Sequence, residues 1–209
     1  MNIVVCIKQV PDAPNIRIDR ERMTIIRDGV ESVINPLDRV ALEAALDLKQ
    51  KEGGKISVLT MGPSQSEEAL REALAAGADE AVLLTDPLFA GADTLATSYA
   101  LKCAVEHIGE YDLVLCGRQA IDGDTAQVGP EIAEWLGIPN ISNVLNVLSC
   151  SDGMLEIEHD SPNAVYTAAV TLPCLISVEK TRRSPRLPSY KRKKTLKEAP
   201  FTQLTLDDL

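Results

Sequence analysis

The stretch Lys55-Ile56-Ser57-Val58-Leu59-Thr60-Met61-Gly62-Pro63 decides how the rest of the chain is read. A compact apolar run breaks at a Gly-Pro turn, and a helix-period segment follows over 64–76 with Ala69, Leu70, Ala73 and Leu74 on one face. The next apolar run is Ala81-Val82-Leu83-Leu84-Thr85. Strand, helix and strand joined by short connections make a crossover unit of a parallel sheet. Upstream, residues 2–7 read as a strand, and 35–52 as a helix with Asn35 as cap and Pro36 in the first helical position. Its apolar stripe is Val40, Ala41, Ala44, Ala45 and Leu48, and Gly53-Gly54 ends it. Between them, 15–19 and 24–26 are β-like, with Arg27-Asp28-Gly29 as a turn. Downstream, Gly91-Ala92-Asp93 opens a helix through His107, 111–116 is a strand, and 122–127 leads into a helix ending near Gly137. Four strand-then-helix steps predict an α/β fold: an open parallel sheet with helices on both faces.

Past Pro139 the pattern changes. Segments 144–148, 154–159, 164–170 and 174–179 are β-rich and separated by turn residues, so they read as antiparallel additions at the sheet edge. Residues 1–180 form one domain in this reading, and 181–209 a basic, extended C-terminal segment with a last short strand at 201–206. The chain has 209 residues, 45% of them hydrophobic, enough for one sizeable core. Aromatic residues are only 3%, which argues against a base-stacking nucleic-acid platform. No apolar run reaches the ~18 residues of a membrane span. The opening Met1-Asn2-Ile3-Val4-Val5-Cys6 reads as a strand rather than a signal peptide. Five widely spaced cysteines and two histidines make a disulfide framework or a metal site a poor expectation, and reduced thiols in a cytoplasmic setting the better one. The net charge is −10, yet 180–197 holds nine Lys or Arg and no Asp or Glu. A basic segment on an acidic body suggests either a docking element for an acidic surface or a solvated tail.

In an open parallel sheet, ligands bind outside the carboxyl ends of the strands, where the strand order reverses. Two loops there carry residues suited to phosphate: Gly91-Ala92-Asp93-Thr94-Leu95-Ala96-Thr97 and Asp122-Gly123-Asp124-Thr125-Ala126-Gln127-Val128-Gly129. Each places small or hydroxyl residues at a helix start, whose unpaired N–H groups suit a pyrophosphate. An ordinary Asp or Thr cap explains each loop equally well. Neither GxxxxGK nor GxGxxG occurs, which disfavours ATP hydrolysis and a standard dinucleotide fingerprint. No nucleophile-base pair accompanies His107 or His159, so the residues point to a Rossmann-like, adenine-nucleotide-binding α/β domain without acid–base machinery of its own.

Val4-Val5-Cys6-Ile7-Lys8-Gln9-Val10-Pro11-Asp12, Arg27-Asp28-Gly29, Ile34-Asn35-Pro36 and Met61-Gly62-Pro63 together resemble the β (small) subunit of electron-transfer flavoprotein. So do Leu74-Ala75-Ala76-Gly77-Ala78-Asp79-Glu80-Ala81 and Gly117-Arg118-Gln119-Ala120-Ile121-Asp122-Gly123-Asp124-Thr125. The resemblance is nearly continuous to about residue 140 and continues more weakly through Leu172-Pro173-Cys174 and Pro185-Arg186-Leu187-Pro188. It implies an electron-transfer component that acts with an FAD-bearing α subunit rather than a stand-alone enzyme. The small subunit holds a second adenine nucleotide: structural AMP in the ordinary branch, or a second FAD in the electron-bifurcating branch, where it takes a hydride from NADH. The wording of 91–97 and 122–129 is similar to the bifurcating branch, and Gly91 and Ala92 leave room for a group larger than AMP.

Carried over by position, the resemblance puts nucleotide contacts at Cys6, Lys8, Asn35, Leu37, Asp38, Met61, Thr94 and Thr97. It adds Gly123, Asp124, Thr125, Ala126, Gln127, Val128 and Gly129. The implied partners are the α subunit, a dehydrogenase or other redox protein, and NADH. Two departures bear on them. Ser189-Tyr190-Lys191-Arg192-Lys193-Lys194 is short and basic where the family has a longer docking loop with an apolar anchor. The sequence also stops at Asp207-Asp208-Leu209, where family members continue into an arm around the α subunit, so two readings stand open: a smaller or differently built interface, or a sequence cut short of the arm. A free-standing adenine-nucleotide sensor is the alternative of a different class.

Overall fold

A computed structural model describes residues 1–12, 17–19, 24–26, 32–180 and 184–209. The first half of the chain contains β1 (Asn2–Cys6), β2 (Gln9–Pro11), β3 (Arg17–Asp19), β4 (Thr24–Ile26), β5 (Ser32–Ile34), α1 (Pro36–Glu52), β6 (Lys55–Met61), α2 (Glu67–Ala76) and β7 (Glu80–Leu84). There follow α3 (Thr94–Ile108), β8 (Leu113–Gly117), α4 (Val128–Leu136), β9 (Asn140–Ser151), β10 (Met154–Ser161), β11 (Ala164–Thr171), β12 (Cys174–Val178), α5 (Tyr190–Thr195) and β13 (Phe201–Leu204).

Nine strands form one sheet in the order β11-β10-β9-β12-β8-β1-β6-β7-β13. From β9 to β13 across the sheet every pairing is parallel. The chain runs from β1 to β6 and β7 on one side, then crosses back to place β8 on the other side of β1. The strand order therefore reverses at β1 and β8, and the crevice at their carboxyl ends is the natural ligand position of such a sheet.

Alternation along the central strands explains the two helical layers. Ile3 and Val5 pack with Val40, Ala45, Leu70 and Leu74 of α1 and α2, whereas Val4 and Cys6 pack with Leu101, Val105 and Ile132 of α3 and α4. Leu59, Leu70, Leu113 and Leu115 are fully buried, and truncating any one to Ala costs about 2–5 kcal/mol. In α1 the buried stripe is wider than its period suggests. Leu42 and Leu46 are buried where Ala44 is only partly so, because they face Ala76 of α2 and Pro185 and Pro188 of the C-terminal segment.

Two segments differ from the sequence expectation. β10 and β11 are antiparallel additions, as read, but β12 is parallel and sits inside the sheet between β8 and β9. The long β9 makes this possible, pairing with β12 through Asn140–Val144 and with β10 through Val144–Ser151. The two-residue link Leu172-Pro173 mimics a hairpin in sequence, and only the pairing shows otherwise. Residues 184–209, read as extended, contain helix α5, and β13 joins β7 at the sheet edge. Arg186 fastens this segment to α1 through Glu43 (Nη2–Oε1 2.8 Å) and Asp47 (Nη2–Oδ1 2.8 Å). In the excursion before α1, β3 and β4 pair antiparallel, while Asn15, Ile16 and the Arg27-Asp28-Gly29 turn lie outside the described residues.

Candidate functional site

The first turn of α1 lies across the carboxyl ends of β1 and β8. Asp38, its third residue, accepts from the Lys8 amide through Oδ2 (2.8 Å) and from the Gly117 amide through Oδ1 (3.0 Å). One carboxylate thus ties both strands of the switch point together. A Cβ on Gly117 would lie 2.5 Å from Asp38 Oδ1 and 2.7 Å from the Leu37 carbonyl carbon, so this approach requires glycine. Burial pushes the Asp38 carboxyl up to about 7, against the opposing pull of the Asn35 side chain and the Lys8 and Gly117 amides. On the far face, Cys6 and Cys116 are buried at the ends of the same two strands. Burial, reinforced by the Asp38 charge, pushes the Cys6 thiol up to about 12; Cys116 moves the same way, so both are neutral packing groups.

Asn35 precedes α1 but does not cap it. Fully buried, it donates from Nδ2 to the Gln119 carbonyl (2.9 Å) and accepts at Oδ1 from the Ile121 amide (3.1 Å). A primary amide suits this task because the loop presents one acceptor and one donor side by side. Lys8 adds a second tie, donating from Nζ to Asp122 Oδ1 at 2.7 Å. The loop after β8 is therefore held from β1 and from the start of α1.

Within that loop Asp124 and Ala126 adopt left-handed backbone with φ of 54° and 55°. Such a conformation costs a non-glycine residue about 1–2 kcal/mol, and here the Gln119–Asp124 side-chain hydrogen bond helps to hold it. Helix α4 follows with no side-chain cap at Gln127. Gly129 is buried, and a Cβ there would stand 2.7 Å from Cys116 Sγ, so α4 starts hard against the end of β8. Helix α3 differs. Asp93 caps it by accepting from the Ala96 amide at 2.8 Å, the ordinary role of an Asp at this position. Thr94 turns toward α4 instead, with Oγ1 3.1 Å from Gln127 Oε1 and 3.2 Å from Glu131 Oε1.

The structure gathers Cys6, Lys8, Asn35, Leu37, Asp38 and the 123–129 loop around β1 and β8, and brings Thr94 to them through Gln127. Met61 ends the neighbouring strand β6, and Thr97 lies one turn along α3, partly exposed. Gly117, Gln119 and Asp122 lie in stretches already marked in the sequence but carried no role of their own there, and Glu131 lies outside those stretches; what each touches becomes visible only once the loop is folded. Among the described residues no His, Cys, Asp and Glu cluster could hold a metal ion, and no helix is long and apolar enough to cross a membrane.

Comparison with known proteins bears on this geometry. The model of the electron transfer flavoprotein domain family matches residues 22–208. The electron transfer flavoprotein subunit beta of Thermoanaerobacterium thermosaccharolyticum is 53% identical over 191 residues, covering 91% of this chain and 73% of that protein. The subunit beta of Clostridium acetobutylicum is 52% identical over 192 residues, covering 92% and 73%. Subunit CarD of the caffeyl-CoA reductase-Etf complex of Acetobacterium woodii is 44% identical over 210 residues, covering 100% of this chain and 80% of that subunit.

Proposed function

Because this chain belongs to the electron transfer flavoprotein family as a β subunit, we propose that its strand-end crevice holds FAD. In this reading the subunit relays electrons between NADH or a dehydrogenase and the flavin of its α partner, by electron bifurcation. The single observation that carries the reading is the start of α4. It has no side-chain cap, is pressed against β8 at Gly129, and follows a loop in which Asp124 and Ala126 adopt left-handed backbone. Unpaired N–H groups at the positive end of a helix dipole suit the pyrophosphate of a dinucleotide. The pairing of Lys8 with Asp122 reduces the negative charge that a pyrophosphate would otherwise meet there.

Under this assignment Gln127, Val128 and Gly129 hold phosphate oxygens through backbone N–H groups, with Thr97 as a hydroxyl donor, while Thr94, whose hydroxyl is turned to Gln127 and Glu131, lines the site beside them. Asn35 and Asp38 fix the loop and strand ends, while Cys6, Leu37 and Met61 supply apolar contact. Gly91 is compatible with a ligand larger than AMP, since an added Cβ there would meet nothing within 4 Å. When bound, the flavin supplies hydride and one-electron chemistry, and the chain positions it and excludes water, with no side-chain nucleophile needed. Five free cysteines agree with a reducing, cytoplasmic compartment.

AMP in a structural role is the competing occupant, because α3 is already capped by Asp93 and α4 offers one clear anion position. Co-expression with the α subunit, denaturation of the purified pair and chromatography of the released nucleotides separate the two. A second flavin is expected; AMP with a single flavin would overturn the FAD assignment. Failure to form a pair, with nucleotide bound by the β chain alone, would favour a free-standing nucleotide sensor.

A further inference from the structure

We propose that the outer edge of β11 is a docking surface, extended by a strand of the α subunit whose Lys or Arg side chains answer an acidic stripe on β10. This rests on the reading of the chain as the partner of an α subunit and locates the contact. β11 is the last strand of the sheet and pairs with β10 alone. Such an edge offers a row of free N–H and C=O groups, and proteins guard it with short strands, charges, proline or bulges. None of these guards β11. Ala164-Val165-Tyr166-Thr167-Ala168-Ala169-Val170-Thr171 has eight residues, no charge and no proline. Its register with β10 runs without a bulge from Ser161–Ala164 to Met154–Thr171. Val165 is 54% exposed and Tyr166 50%, and of the eight only Val170 is buried. The opposite edge differs: β13 is four residues long and is followed by a turn that Asp208 closes on the Thr205 amide.

Charge selects the occupant. The register places Glu156 beside Ala169, Glu158 beside Thr167 and Asp160 beside Val165, all on one face of the hairpin. Glu156 accepts from Ser149 Oγ (3.0 Å) and Glu158 from Asn146 Nδ2 (2.8 Å), so both have neutral donors. No Lys or Arg occurs between Arg118 and Lys180. A strand added to β11 lies two strand spacings, about 10 Å, from this acidic stripe. Thr167 and Ala169 between them are small, so the long stem of an Arg or Lys can lie across them and carry its charge to the carboxylates. A second copy of β11 would bring the same uncharged strand and another acidic stripe, with no cation for either. The edge therefore fits an extended strand of different sequence, basic on one face, and the α subunit is the partner that the family supplies. Main-chain hydrogen bonds then give affinity and the basic side chains give specificity.

The test compares the α/β complex with the full β chain. Amides of 164–171 that do not bond to β10 should exchange quickly in the chain alone and about tenfold or more slowly in the complex. T167K and T167E separate charge from shape at an exposed position opposite Glu158. T167K gives Glu158 a cation of its own, so it should leave the melting temperature of the chain unlowered yet weaken pairing with α about tenfold or more. T167E adds to the stripe and should pair at least as tightly as wild type. Fast exchange of every outward amide of 164–171 in the complex, or equal effects of the two variants on pairing, would overturn the proposal. Protection already present in the chain alone, with dimers in sedimentation, would make a second copy the occupant and overturn it as well. A wild-type chain that forms no complex with α would instead defeat the α-partner reading itself, and this proposal with it.

Discussion

The amide of Gly117 donates to Oδ1 of Asp38 at 3.0 Å, so the end of β8 is fixed by a carboxylate from the helix that follows β1. The contact exists because residue 117 has no side chain: a Cβ would fall 2.5 Å from that oxygen and 2.7 Å from backbone of α1. Backbone cannot yield as a flexible side-chain tip can. G117A should therefore push α1 off the switch point, destabilising the protein by about 1–3 kcal/mol and lowering the melting temperature by several degrees. Calorimetry that returned wild-type stability would show that α1 does not approach β8 this closely.

Asp38 also predicts a pH dependence. Burial raises its folded-state value from 3.8 to about 7, so between these limits the folded chain keeps a proton that the unfolded chain releases. Its contribution to stability is fully present below about pH 4 and is lost as pH rises through about 7, an effect of the order of 4 kcal/mol at most. Urea unfolding at a series of pH values should show this decline superimposed on the other titrations. D38N should abolish that share of the slope. It should also destabilise the fold at low pH, because an amide turns an NH2 toward one of the two backbone donors that Asp38 satisfies.

Asn35 holds the loop after β8 through two hydrogen bonds from a fully buried amide. N35A leaves the Gln119 carbonyl and the Ile121 amide without those partners, at a cost of about 1–3 kcal/mol. Because that loop contains the left-handed residues Asp124 and Ala126, hydrogen exchange across 119–126 should accelerate more than elsewhere. Nucleotide binding should weaken in parallel. Exchange that rose equally across all elements would indicate a general loss of stability instead.

The two helix starts at the crevice should respond differently. D93A removes the cap of α3 and should cost about 1 kcal/mol of stability with little change in nucleotide affinity. G129A places a Cβ 2.7 Å from Cys116 Sγ and moves the start of α4 away from β8. It should weaken nucleotide binding by more than its effect on stability accounts for. Equal losses of affinity in D93A and G129A would show that the backbone start of α3 holds the phosphate as well, contrary to the assignment of those N–H contacts to α4 alone.

Much of this molecule was legible along the chain. Apolar period and turn chemistry are local, so Lys55–Met61, Glu67–Ala76 and Glu80–Leu84 announce a strand, a helix and a strand before any contact is known. Repetition of that unit, with crossovers of one hand, leaves a parallel sheet covered on both faces as the consistent arrangement. The loops at 91–97 and 122–129 could likewise be marked as helix starts facing the ligand side. What the chain could not disclose was which distant groups would meet. Leu172-Pro173 reads as a hairpin link, yet Cys174–Val178 enters the middle of the sheet, because pairing partners are chosen by the whole set of strands.

Asn35 reads as a helix cap from its position before Pro36, yet its amide is spent on Gln119 and Ile121, more than eighty residues away. Thr94 and Glu131 belong to different helices and touch only because α3 and α4 pack side by side. The sequence by itself determined the strand–helix units up to α4 and the end of the sheet at which a ligand would lie, since both follow from short-range periodicity and sheet geometry. The tertiary structure alone decided how Asp38, Asn35, Thr94 and Glu131 are used, because hydrogen-bond partners depend on strand order and helix packing.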